Sequence, residues 1–209
     1  FSNKHNTDTV NSMACNQSIG MVGQFLLLNN YINAGNEIDT VYMLFSPFTF
    51  RNNLDQVYTY HYFLKPFYND EYKPLFTETV NTQIQKIPYH AFCRNPLILT
   101  TNWAPDFTAK DKHDFTFLSP ISIEYLGKIK ELSIKHGFKV ILVPPPLSLN
   151  KKTDIEKLDK AEINKTNMVP EFETYFSGFS YIADNNFSDG THLWKPDDYT
   201  ASYRIKFIK

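Results

Sequence analysis

The sequence predicts an α/β fold with a mostly parallel sheet, and three observations carry that expectation. Apolar positions Met21, Phe25, Leu28 and Ile32 recur every three or four residues, one face of a helix from Met21 to about Ala34 that Gly35 ends. Thr40 to Phe45 follows as an apolar, β-prone run without alternation, the pattern of a strand covered on both faces of a parallel sheet. The order then repeats. Ile121, Tyr125, Leu126, Ile129 and Leu132 mark a helix opened by Pro120 and stopped by Gly137, and Lys139–Val143 is the clearest strand in the chain.

The remaining elements fit around these units. Thr7 to Cys15 reads as a short strand leading into the polar turn Asn16-Gln17-Ser18-Ile19-Gly20. With Thr40–Phe45 it makes a strand–helix–strand unit, for which a right-handed crossover is expected. Residues 51–117 break the rhythm with Tyr58, Tyr60, Tyr62, Phe63, Phe67, Tyr68, Tyr72 and Phe76 and with scattered prolines. One or two helices (about 53–68 and 76–86) are expected there, in an insertion packed on the sheet by its rings. A functional reading makes it a cap over an acyl or sugar pocket, but core packing explains most of the rings, and no single one is taken as a binding platform. Pro144-Pro145-Pro146 ends the second strand, because no ladder can continue through residues without an N–H. Residues 151–165 read as a charged surface helix, Glu171–Phe176 as a short helix, Phe179–Ala183 as a last strand and Asp197–Ile208 as a closing helix.

Composition narrows the function classes. A chain of 209 residues with net charge −1 suits one large domain or two small ones and offers no electrostatic footprint for nucleic acid. No apolar run approaches the roughly 18 residues of a membrane span. Cys15 and Cys93 make neither a disulfide framework nor a metal site and are expected to be small buried hydrophobes. The histidines show no metal-ligand spacing, no Gly-x-Gly phosphate loop occurs, and no cofactor is called for.

The stretch richest in chemistry lies near the C-terminus, at Phe187-Ser188-Asp189-Gly190-Thr191-His192-Leu193. It sets a carboxylate three residues before an imidazole in a Gly-containing turn. A carboxylate so placed can accept the Nδ1–H of His192, fix its tautomer and leave Nε2 free as a general base. The alternative is a surface turn, where Asp and Gly are common for backbone reasons alone.

Strand, Gly turn, helix, strand, insertion, helix–strand and a late Asp-Gly-Thr-His-Leu together resemble the SGNH hydrolase superfamily (the GDSL esterases and lipases). The resemblance covers most of the chain outside residues 51–117 and is strongest at the terminal motif. It implies one domain over residues 1–209, with a flavodoxin-like three-layer α/β/α fold. It also implies His192 as general base, Asp189 as its orienting carboxylate, and the Gly20 N–H as an oxyanion-hole donor. The family's second oxyanion site, a Gly-x-Asn-Asp turn after the next strand, reads Phe45-Ser46-Pro47-Phe48 here, with Ser46 the nearest polar side chain. Losing one such donor typically costs about 10²–10³ in turnover.

The family's Gly-Asp-Ser turn is absent from this sequence, and Ser12 and Ser18 are the early serines nearest the right region. In the flavodoxin-like order the strand carrying that serine is central. Its removal would leave two strand edges unpaired, at about 1–3 kcal/mol per lost backbone partner. Over a whole strand that exceeds the roughly 5–15 kcal/mol stability of a domain. The chain opens at Phe1 rather than Met, and the expectation is that upstream residues supply the first strand and the serine.

These readings imply an ester hydrolase or O-acyltransferase that acts through a serine ester on an acylated carbohydrate or another small ester. The resemblance leans towards the cell envelope or secretion. A second reading is a non-catalytic SGNH-like domain that binds glycan or a protein partner. A third is an unrelated α/β domain in which Asp189 to His192 is only a turn.

Overall fold

A computed structural model describes residues 10–16, 20–106, 115–188 and 192–195. Helix α1 (Gly20–Asn33) buries Met21, Val22, Phe25, Leu26 and Leu28 along the face that the spacing predicts. Strand β1 (Thr40–Leu44) follows, then a 3-10 turn Pro47–Arg51. In the aromatic-rich section a π-helical turn, Tyr60–Leu64, runs into one turn of α-helix at Lys65–Phe67, and helix α2 spans Glu78–Gln85. Helix α3 (Pro120–His136) is the longest described. Its Ser119 hydroxyl caps the Ser122 N–H at 3.0 Å, Pro120 sits in the first turn, and Gly137 stops it at φ +76°.

Strand β2 (Lys139–Val143) pairs parallel with β1 in register, Thr40 opposite Lys139 through Leu44 opposite Val143. The three prolines interrupt the ladder. Beyond them β3 (Leu147–Ser148) forms a second two-stranded parallel pair with β4 (Tyr181–Ile182), which follows helix α4 (Val169–Ser177). The fold is thus α/β, mostly helical with a small parallel sheet.

The aromatic excess goes largely into one core. Phe50, on the turn after β1, meets Phe45, Phe117, Phe172 and Tyr175 edge-on, with ring centroids 5.5 to 5.8 Å apart. Such pairs add about 0.5–1.5 kcal/mol each beyond the area they bury. The Tyr175 hydroxyl donates to the Phe45 carbonyl at 2.7 Å, which ties α4 to the end of β1. On the other flank Phe25 of α1 meets Tyr125 of α3 at 5.5 Å. Tyr60, Phe63, Leu64 and Phe67 of the section 51–117 join the same core.

Four sequence expectations need correction. Of the strand expected at Thr7–Cys15, the described part, 10–15, is not in a ladder, and its residues are mostly exposed. Cys15 is exposed with them, and only Cys93 is the buried thiol expected of both. Residues 151–165 are not one helix but a short helix Lys152–Glu156 and a 3-10 turn Ala161–Thr166. Ile155, Leu158 and Ile163 turn inward there, a spacing that fits one helical face and so made the stretch read as a single helix. Strand β1 is covered on one face only, with Tyr42 44% and Leu44 59% exposed. Its second edge carries no strand among the described residues. The closing helix expected at Asp197–Ile208 lies outside the described residues.

Candidate functional site

Gly20 opens α1 in a left-handed conformation, at φ +65°. A Cβ there would lie 3.1 Å from Asn52 Oδ1 and 3.3 Å from its Cγ, so only glycine fits both the backbone and the space. As the first residue of a 14-residue helix, Gly20 has an N–H without an intrahelical acceptor, at the positive end of the helix.

Asn52 is held on three sides. Its backbone N–H donates to the Thr49 carbonyl at 3.1 Å and closes the turn after β1. Its carbonyl accepts the Ser119 hydroxyl at 2.7 Å, and its Oδ1 accepts the Leu54 N–H at 3.0 Å. The side-chain amide Nδ2 has only a long contact, 3.5 Å, to the Tyr58 hydroxyl. That is the outer limit of a hydrogen bond, so the amide protons, on the Tyr58 side of a group whose Oδ1 faces Gly20, are its loosely engaged part.

The segment after Asn52 carries the irregularities that functional sites store. Leu54 is held at φ +58°, an unusual conformation for a branched side chain. Asn53 Oδ1 and Thr59 Oγ1 are buried without a hydrogen-bond partner, each costing about 1–3 kcal/mol if left so. Burial raises the Tyr58 phenol above its ordinary range, offset in part by its hydrogen bond to Asn52 and helped by nearby Asp55. It therefore stays protonated beside Asn52 at neutral pH. A π-helical turn follows directly.

The tail motif is built differently. After β4 a 3-10 turn, Asp184–Asn186, leads to an antiparallel bridge between Phe187 and Leu193. Ser188 donates twice to the His192 carbonyl, from N–H at 2.7 Å and from the hydroxyl at 3.0 Å. Trp194 N–H donates to the Asn186 carbonyl at 2.9 Å. The turn is thus closed at its base, with buried Phe187 as anchor and His192 exposed. Asp189, and with it the expected carboxylate–imidazole pair, lies outside the described residues.

The base of this tail is clamped to the sheet. The buried Ser148 hydroxyl donates to Asp184 Oδ1, which also accepts the Asn150 N–H at 3.0 Å. The Ser148 hydrogen bond, with the Asn150 N–H behind it, holds the Asp184 carboxyl below its usual range.

The structure therefore places Asn52 against Gly20. Ser46 caps the turn Pro47–Arg51, its hydroxyl oxygen accepting the Phe48 N–H at 3.4 Å. Ser12 is exposed, its oxygen accepting the Ala14 N–H at 3.4 Å, and Ser18 lies outside the described residues. A shallow hollow of about 160 Å³ beside Phe115, Pro120 and Glu162 is lined by none of these residues. Sequence reasoning missed Asn52. The signal was the Asn52-Asn53 pair just past the turn, displaced from the strand end where such an amide was sought. Comparison with protein-family models, curated proteins and solved structures returns no match.

Proposed function

We propose that the chain forms most of an SGNH-like, three-layer α/β/α ester hydrolase or O-acyltransferase domain. The observation that carries this reading is the Gly20–Asn52 juxtaposition at the N-terminus of α1. A backbone N–H and a side-chain amide brought together at the positive end of a helix suit the oxyanion of a tetrahedral intermediate.

The chemistry then divides among this chain's residues. A serine Oγ attacks the ester carbonyl carbon while His192 Nε2 takes its proton, and Asp189 steadies the resulting imidazolium. The carbonyl oxygen becomes an oxyanion that accepts from Gly20 N–H and Asn52 Nδ2. Collapse expels the alcohol, which takes the proton from His192, and leaves an acyl-serine. Water or an acceptor hydroxyl, deprotonated by His192, releases the acyl group and restores the serine.

The serine belongs to a strand from outside the described residues, and β1 supports a place for it. Parallel strands are normally covered on both faces, yet β1 has an edge that no described strand pairs with and an outward face bearing Tyr42 and Leu44. A further parallel strand and its helix would cover both.

The test is labelling of the intact protein with a fluorophosphonate, followed by peptide mapping, beside hydrolysis of p-nitrophenyl acetate. One labelled serine, with labelling and hydrolysis both abolished in His192→Ala, is the expected result. Labelling that His192→Ala leaves unchanged would remove the proposal.

A further inference from the structure

A second feature, separate from Gly20 and His192, lies on the aromatic-rich section. Tyr89 is a bulky residue held in the left-handed region, at φ +56° and ψ +22°. That conformation is costly for a ring-bearing residue and persists only where its surroundings enforce it. Its ring points outward, 63% exposed, between two other open rings, Phe92 at 55% and Trp103 at 44%. The centroid distances from Tyr89 are 6.4 Å to Phe92 and 6.2 Å to Trp103. The planes are inclined by 57° and 64°, so the rings do not stack on one another, and the exposed fractions give the ring area left open to solvent.

Buried groups hold this arrangement from below. The fully buried Tyr60 meets Trp103 edge-on at 5.8 Å, and its hydroxyl donates to the Tyr89 carbonyl at 3.3 Å. Lys65, also buried, donates from Nζ to the Thr101 carbonyl at 2.6 Å, and the Thr101 hydroxyl accepts the Trp103 N–H at 3.2 Å. Arg94 Nη1 donates to the Lys65 carbonyl at 2.6 Å. Two cations are thus used to fix backbone under exposed rings. Rings fixed beforehand lose little entropy when a ligand stacks on them.

We infer that Tyr89, Phe92 and Trp103 form a stacking platform for the pyranose rings of a neutral carbohydrate. Size and charge favour that occupant. At about 150–250 Å² per aromatic side chain, the exposed parts amount to roughly 300 Å². That suits a di- or trisaccharide and falls well below the roughly 800 Å² per partner of a stable protein interface. Residues 87–106 carry one Arg and one Asp, and the guanidinium is engaged internally. Among the described residues 87–106 there is thus no lysine and no unengaged arginine to draw an anionic sugar or a lipid headgroup layer. The Tyr89 hydroxyl and the Trp103 indole N–H supply hydrogen bonds to sugar hydroxyls.

Titration calorimetry of the intact protein with maltohexaose, cellohexaose and chitohexaose tests the platform. The expected result is saturable binding of at least one sugar, weakened tenfold or more in Tyr89→Gly and in Trp103→Ala. Tyr89→Gly keeps the left-handed backbone while deleting the ring, so its thermal midpoint should not fall. Three outcomes overturn the inference: no binding of any of the three sugars, binding that survives both substitutions, or silence towards sugars with Tyr89-dependent sedimentation on phosphatidylglycerol vesicles. The readout is binding alone, so a failure of the acyl-transfer reading leaves it untouched.

Discussion

Asn52 Oδ1 stands 3.1 Å from where a Cβ on Gly20 would lie, and that oxygen is already committed to the Leu54 N–H at 3.0 Å. The glycine is thus required twice, by its φ of +65° and by a neighbour that cannot retreat without releasing a strained turn. Gly20→Ala should therefore destabilise the protein by at least about 1–2 kcal/mol, the usual cost of a left-handed backbone for an L residue. In a chain of this size that lowers the thermal midpoint by several degrees. An unchanged midpoint in a melting experiment would mean that the helix starts elsewhere.

Asn52→Asp separates folding from chemistry. The substitution keeps an oxygen for the Leu54 N–H and removes the amide protons, which lie on the Tyr58 side of a group whose Oδ1 faces Gly20. Near-normal stability is expected, with ester hydrolysis reduced by about 10²–10³, the loss of one oxyanion donor. Equal turnover in Asn52→Asp and the parent, by initial rates on p-nitrophenyl acetate, would assign Asn52 to the turn alone.

The two thiols should behave oppositely. Cys15 is exposed, whereas burial pushes the Cys93 thiol up to about 11. Since the thiolate is the reactive form, Cys93 is inert at neutral pH until the core opens. Ellman's reagent should titrate one thiol in the native protein and both in denaturant. Rapid reaction of Cys93 without denaturant would place it at an opening surface.

Acid should weaken the clamp under the tail. The folded pKa of Asp184 lies below its ordinary value, so the carboxylate contributes stability above the unfolded pKa, near 4. That contribution is lost as pH falls through the depressed folded value. Asp184→Asn should lower the urea midpoint at pH 7, and the gap from the parent should narrow below pH 4. A gap independent of pH would show that the charge plays no part.

How far these elements were legible follows from how local their signals are. Helix α3 carries its own start at Ser119-Pro120 and stop at Gly137, and β2 is an unbroken apolar run, so both are readable without the rest of the fold. Residues 151–165 looked helical because Ile155, Leu158 and Ile163 fall at helical spacing, while the break between them is set by the turn Ala161–Thr166 packing on α3. Gly20 was legible as a turn residue. Asn52 was not, because its place depends on the turn Pro47–Arg51 folding back towards α1 and on Ser119 holding its carbonyl. The terminal Asp and His were legible as a motif, and of the pair the described residues include only His192.

The half-dressed strand Thr40–Leu44 has a cost beyond catalysis. An edge that no described strand pairs with, flanked by Tyr42 and Leu44, is a template on which an extended peptide can lie down. Two copies that pair this edge with itself close as a dimer, whereas addition of an unlike extended segment leaves an open end and leads towards fibres. Protein in which that rim is left bare should grow turbid on standing, and whatever segment normally overlies it acts as a solubility device.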